Sequence, residues 1–211
     1  MDLLRDYDKE RGVFMITIAR QCGCGGEEIG RLLSETCSLP FYDKKALIAL
    51  AKEKGIYESM PNFFSEKPIN SLLYAIAAGE SVTKLGTGAV AQVRDMLSGQ
   101  SAVMIGRCGN YIFRGEPKLL RIFLGADIEQ RIAVIQEKHK LAKHRAKVLV
   151  QETDEQRAAF HKYYTGESWG QAQYYDICLN ITGMKKEQVV KIILEYVQQM
   201  PTFLTLEINR K

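Results

Sequence analysis

Five short β-rich apolar runs alternate with longer segments of helical period, and this alternation constrains the fold more than any other feature of the chain. The runs are VFMITIA (13–19), LPFY (39–42), AVMIG (102–106), LLRIFLG (119–125) and DICLNIT (176–182). Several are apolar at successive positions, as strands buried on both faces should be, and strands that alternate with helices imply a parallel sheet covered on both sides. Between the runs, Ile29, Leu32, Leu33 and Cys37 follow helical spacing, and so do Val189, Val190, Ile193 and Val197. Asp127, with Gln130 three residues on, reads as a helix N-terminus that leads into the stripe Ile128, Ile132 and Ile135. Residues 140–165 are polar and basic with little apolar stripe, as a hinged cover over a ligand would be. The expected architecture is a three-layer α/β sandwich on a five-stranded parallel sheet. One domain is expected over residues 13–200, with a helical lid inserted near 127–170 and terminal extensions at 1–12 and 201–211.

Composition narrows the function classes. The 211 residues, 46% of them apolar, suffice for a sizeable core. No stretch approaches the roughly 20 apolar residues of a membrane span, and MDLLRDYDKERG lacks the order of a signal peptide, so a cytoplasmic protein away from membranes is expected. Five cysteines, an odd number, point to free thiols. Cys22 and Cys24 have neither a CxxC spacing nor a nearby histidine ligand, so they read as small residues of a crowded turn rather than a zinc site. The net charge of +4 suits anionic ligands. The basic run EKHKLAKHRAK (137–147) is expected to be a solvated helix face, with polyanion binding as the alternative; nucleic acid is not the expected partner. Aromatics of FHKYYTGESWGQAQYY (160–175) are expected to pack under the lid rather than stack on a base, and no Ser/His/Asp spacing supports a hydrolytic nucleophile.

The stretch ITIARQCGCGGEEIG (16–30) places glycines between a buried strand and a helix start. Gly23, Gly25 and Gly26 let several backbone N–H groups converge on an anion, with the helix dipole adding to the attraction. The usual phosphate-loop pattern GxxxxGK[ST] puts a lysine after its last glycine, whereas Gly26, Glu27 and Glu28 follow Gly25 here. Arg20 could supply the missing cation from the other side of the turn. The two glutamates would stabilise the helix start in any case, and Glu28 could also meet a magnesium ion. A dinucleotide site is the weaker reading, because GCGGEE lacks the last glycine of GxGxxG.

These segments together resemble the cytidylate kinase family, and more closely its divergent cytidylate kinase-like branch. The resemblance rests on ITIARQCGCGGEEIGRLLSE, LPFYDKKAL (39–47), VMIGRCGNYI (103–112), RIFLGADIEQRIA (121–133), TDEQR (153–157) and YYDICLNITGM (174–184), in collinear order. It implies a P-loop fold that uses ATP and Mg2+, with Arg20, Gly23, Cys24, Gly25, Gly26, Glu27 and Glu28 around the donor phosphates. It also implies that Asp43 lies beside a pyrimidine nucleotide acceptor and that Arg107 holds the acceptor phosphate. Arg131 resembles the first arginine leading into the lid, and Asp154 with Arg157 the pair that closes on the transferring phosphoryl group. Lys44 and Ala49 stand where other acceptor contacts are expected, which leaves the acceptor open. The bland alternative for Arg131 is a surface ion pair with Asp127, one helical turn away. The expected activity is phosphorylation of a nucleoside monophosphate, CMP or dCMP first, and the rival is a nucleotide-binding protein without turnover.

Overall fold

The computed structural model describes residues 13–60, 62–64 and 82–201; of the expected terminal extensions, only Pro201 lies within them. In chain order the elements are β1 (Met15–Arg20), α1 (Gly26–Cys37), β2 (Phe41–Tyr42), α2 (Lys44–Glu53), α3 (Val82–Met96), β3 (Ala102–Ile105), α4 (Gly109–Ile112), β4 (Leu119–Gly125), α5 (Ile128–His139), α6 (Lys143–Thr165), β5 (Ile177–Asn180) and α7 (Lys186–Gln199), with single 3-10 turns at Tyr57–Ser59 and Ala172–Tyr174. Every strand expected from the apolar runs is present. The sheet is wholly parallel in the order β2-β3-β1-β4-β5, so β1 is central, pairing with β3 on one side and β4 on the other.

The period of two explains why β1 reads as a nearly continuous apolar run, broken only by Thr17 before Arg20 at its end. Ile16 and Ile18 face α1 and α7, where they join Ile29, Leu33, Leu120, Ile122, Val189 and Ile193. Met15 faces the other side, with Leu47, Phe63, Val93, Met104 and Ile112. Each of these side chains, fully buried, contributes about 1.5–3 kcal/mol by removal from water. Strand β4 departs from the expected double burial: Leu120, Ile122 and Leu124 are buried, but Arg121 and Phe123 are half-covered. Arg121 is satisfied by a two-pronged pair with Asp176, its Nη2 2.6 Å from Oδ1 and its Nε 3.0 Å from Oδ2.

The segment expected to form a lid contains a helical pair, α5 and α6, held by a small cluster of Ile132, Ile135, Ala146 and Val150 against Cys22 of the glycine turn. Ile128 is instead partly exposed, at 38%, and Asp127 makes no side-chain cap. Its backbone N–H donates to Thr182 Oγ1, while Gln130 Oε1 accepts from the Gly183 N–H, so this helix start is tied to the loop after β5 rather than capped from within. The five cysteines are free, and only Cys178 is exposed. Among the described residues no helix is long and apolar enough to cross a membrane.

Candidate functional site

The turn after β1 is shaped by two glycines with left-handed backbone, Gly23 at φ 83° and Gly25 at φ 62°. Gly23 is required twice over, since a Cβ there would lie 2.6 Å from the Arg131 carbonyl oxygen. Gly25 caps α1 without offering a side-chain acceptor. Among the described residues, the N–H groups of Gly23, Gly25, Gly26, Glu27 and Glu28 meet no hydrogen-bond acceptor of the protein. Five amide donors at a helix start, with the positive end of the helix dipole behind them, form a concavity suited to an anion. One neighbouring amide is already in use: the Cys22 N–H donates to Asp154 Oδ1 at 2.6 Å.

That bond belongs to a brace between the helical pair α5–α6 and the turn. Arg131 is buried and donates through Nε to the Ala126 carbonyl (2.9 Å) and through Nη1 to the Cys22 carbonyl (3.3 Å) and Asp154 Oδ2 (2.6 Å). Arg157, one turn along α6 from Asp154, donates through Nη1 to the Arg20 carbonyl at 3.0 Å. Helices α5 and α6 therefore hold the backbone of residues 20–22. Asp127 is not the ion partner of Arg131; Asp154 is.

Beyond the carboxyl ends of β1 and β3 lies a cavity of about 590 Å³, bounded by the strand exits, the start of α2 and the inner face of α6. Arg20, Arg107 and Arg157 line it, with the carboxylates of Glu27, Asp43 and Glu152. Asp43 is the N-cap of α2: Oδ1 accepts from the Ala46 N–H (2.8 Å) and Oδ2 from Arg31 Nη2 (2.9 Å). The same Arg31 nitrogen donates to Glu27 Oε1 at 2.9 Å, a bond that raises the arginine's pKa and ties the α1 start to the α2 start. Arg107 leaves β3 through three successive left-handed residues, Gly106 (φ 73°), Arg107 (φ 51°) and Cys108 (φ 59°). For the two that are not glycine this conformation costs about 1–2 kcal/mol each, a load that concentrates where a side chain must be aimed. The Arg107 guanidinium donates to the Phe63 carbonyl at 3.0 Å and lies 5.0 Å from the Phe160 ring centroid.

The chain matches the cytidylate kinase-like family over residues 15–183. It belongs to that family. A crystal structure of an uncharacterized protein from Eubacterium ventriosum ATCC 27560 is similar at a TM-score of 0.67 and 21% identity, covering 89% of this chain and 99% of that one. Shikimate kinase from Acinetobacter baumannii, in complex with shikimate, is similar at a TM-score of 0.51 and 10% identity, covering 90% of this chain and 95% of that one. At these identities the likeness concerns the fold, which is that of the P-loop kinases. None of the curated proteins matches the chain. Family and fold together mark this cytidylate kinase-like chain as a kinase-like nucleotide-binding protein.

Within this cytidylate kinase-like site the sequence-derived residues separate by place. Arg20, Glu27, Asp43, Arg107 and Arg157 come together at the cavity. Arg131 and Asp154 do not line it; their polar atoms are engaged with the turn. Cys24 turns its thiol into the core, where burial pushes it up to about 11, and offers the turn only its backbone. Glu28 bends back toward Gly25 and lies 4.0 Å from Lys138 Nζ, so the carboxylate that faces the cavity from the α1 start is Glu27. Sequence reasoning missed Arg31, although its spacing of four from Glu27 was a usable signal. It also missed Asn110 and His161, which no spacing marks. Both line the cavity wall and are buried, and among the described residues neither Asn110 Nδ2 nor His161 Nε2 has a hydrogen-bond partner.

Burial pushes His161 down to about 4, against the opposing pull of Glu167. Because the folded value lies below the ordinary one of 6.5, the unfolded chain takes the proton first as pH falls. The stability owed to the neutral ring is therefore complete above about pH 6.5 and drains away toward pH 4. Thermal melts at pH 7 and pH 5 should show a larger drop in Tm for the wild type than for His161→Gln. Equal drops would contradict burial of a neutral imidazole.

Proposed function

We propose that this chain is an ATP-dependent phosphotransferase that phosphorylates a nucleoside monophosphate, with CMP or dCMP first among the acceptors. The observation that carries the reading is the convergence of three arginines, Arg20, Arg107 and Arg157, on one cavity at the strand ends, beside a helix start with five unengaged amides. Phosphoryl transfer asks a protein chiefly for alignment and for positive charge around the phosphoryl oxygens, and guanidinium forks provide both. The amides of Gly23 to Glu28 would hold the donor phosphates, Arg107 the acceptor phosphate, and Arg157 the charge that develops during transfer. Arg131 and Asp154 position the turn. In the reaction, an oxygen of the acceptor phosphate bonds to the γ-phosphorus as the bond from that phosphorus to the β,γ-bridging oxygen breaks. ADP leaves with that electron pair, and no proton needs to move when the acceptor phosphate is a dianion.

Magnesium fits the residues present, although no group of three or more metal-ligating side chains occurs among the described residues. The ion commonly takes one or two carboxylates and fills its remaining positions with phosphate oxygens and water. Glu27 would be the carboxylate that meets it, and Asp43, joined to Glu27 through Arg31, stands next to it. When bound, the ion neutralises charge on the donor phosphates. A location in the cytoplasm and partners limited to small nucleotides accord with this reading.

A second reading, nucleotide binding without turnover, has its own support in the missing lysine and in Glu28, whose carboxylate competes for the helix start. The experiment is incubation of the protein with ATP, Mg2+ and a panel of nucleoside monophosphates while ADP is followed, beside calorimetry with ATP alone. ADP formation that depends on one monophosphate is the expected outcome. Binding of ATP with no ADP from any acceptor would establish the second reading instead. Binding of polyanions that outcompetes ATP and fades steeply with salt would assign the exposed run 137–147 a role the proposal denies it.

A further inference from the structure

The phosphate-loop pattern GxxxxGK[ST] has glycine at its first position and lysine at its seventh. Counted so that Gly25 is the second glycine, this chain has Arg20 at the first position and Gly26 at the seventh. The two departures share one volume of space. A Cβ on Gly26 would lie 2.7 Å from Arg20 Cγ and 3.0 Å from Arg20 Cβ, the rigid base of that side chain rather than its movable tip. Gly26 is not required by its backbone: it opens helix α1, and it is not among the residues with positive φ. Its side chain is absent because the Arg20 stem passes over it.

From there the Arg20 side chain runs to β3, where its Nη1 lies 2.5 Å from where a Cβ on Gly106 would be. Gly106 immediately precedes Arg107 and has φ 73°. The Arg20 carbonyl is itself fixed by Arg157 Nη1. The guanidinium is thus held at the cavity wall between the amides of the α1 start and Arg107, the two sites that would hold donor and acceptor phosphates. We propose that Arg20 is the phosphate-loop cation of this protein, delivered from the strand exit in reciprocal exchange for the helix-borne lysine, and that it contacts the transferring phosphoryl group from the boundary between donor and acceptor. The inference rests on the phosphotransferase reading for its ligand, and on the structure alone for the exchange of positions. A guanidinium there offers a planar fork to two phosphate oxygens at once, which an ammonium cannot do.

The steric half is tested without nucleotide, by thermal melts of a double-mutant cycle. Gly26→Ala is expected to lower Tm in the wild-type background, where the methyl group meets the Arg20 stem. In the Arg20→Gly background the same change is expected to raise Tm, as alanine for glycine in a helix usually does. A rise in both backgrounds overturns the exchange. The chemical half is tested with ATP and with inorganic tripolyphosphate by calorimetry, and by ADP formation where turnover occurs. Arg20→Ala should weaken both ligands at least about tenfold and slow turnover about 100- to 1,000-fold, as loss of one preorganised donor does elsewhere. Arg20→Lys should recover part of this. Arg20→Gly combined with Gly26→Lys should return within about tenfold of the wild type, a level neither single change reaches. Unaltered binding and turnover in Arg20→Ala, or a double variant no better than its worse parent, overturns the proposal alone. A wild type that binds neither ATP nor tripolyphosphate overturns the phosphotransferase reading and this inference with it.

Discussion

Arg131→Ala is expected to lower the stability of the folded protein by about 3 kcal/mol, toward the lower end of what removing one partner of a buried ion pair costs. The pair is well enclosed, with the arginine side chain 8% and the aspartate side chain 18% exposed. Truncation leaves the Asp154 carboxylate with the Cys22 N–H and only the distant Arg157, 3.9 Å away, for compensation. It also strips two carbonyls, those of Ala126 and Cys22, of their donor. Urea titration reads the loss directly. Asp154→Ala should cost a comparable amount, since it leaves the buried Arg131 guanidinium without its carboxylate and the Cys22 N–H without its acceptor, although both carbonyl acceptors of Arg131 remain. The double variant should cost less than the sum by about 1–3 kcal/mol, as groups in one network do. This outcome separates two roles for Arg131. A cation whose task lies only in the transition state would leave stability within about 0.5 kcal/mol when removed and would lower turnover alone. A brace lowers both, because the turn it holds is the one whose amides would hold the donor phosphates in the proposed reaction.

The fold was legible because its signal is redundant. Five apolar runs, separated by segments long enough for crossover helices, leave few sheets to build, and β1 reads correctly even though Met15 and Ile16 face opposite sides of the sheet. The sparse burial of α6 was legible for the opposite reason: it has so little apolar stripe that only Ala146, Val150, His161 and Tyr164 are buried along its 23 residues. The site was read in part. Residue types suited to phosphate could be named, but which ones reach the cavity depends on where each side chain turns. Arg131 and Arg157 look equivalent in sequence, yet one is used up by carbonyls and Asp154 while the other lines the cavity. Glu27 and Glu28 are adjacent acids, and a rotation of about 100° along the helix sends one to the cavity and the other toward Lys138. The left-handed backbone at Arg107 and Cys108 had no sequence signal at all, because neither is a glycine. Gly26 showed the reverse case: it read as one more flexible position in a glycine turn, whereas its backbone is helical and only its missing side chain matters.

Arg107→Gly is expected to abolish nearly all transfer, by about 100- to 1,000-fold, while leaving a protein more stable than Arg107→Ala. Both variants lose the bond to the Phe63 carbonyl and the contact with the Phe160 ring, so those losses cancel in the comparison. They differ only in the backbone at φ 51°, which alanine must hold under strain and glycine adopts freely. Relief of about 1–2 kcal/mol, less the chain entropy that glycine adds to the unfolded state, leaves the glycine variant ahead by roughly 0.5–1 kcal/mol. Urea midpoints for the two, set beside their rates of ADP formation, decide the matter. Equal midpoints would mean that the chain relaxes out of the left-handed conformation once the guanidinium is gone. Equal rates to the wild type would make Arg107 a structural tie to Phe63. Loss of activity in both variants together with a stability gap between them is the pattern expected if the strained exit of β3 exists to aim this one side chain. A glycine at position 107 would make the easier fold, and the arginine stands at that position against the preference of its own backbone.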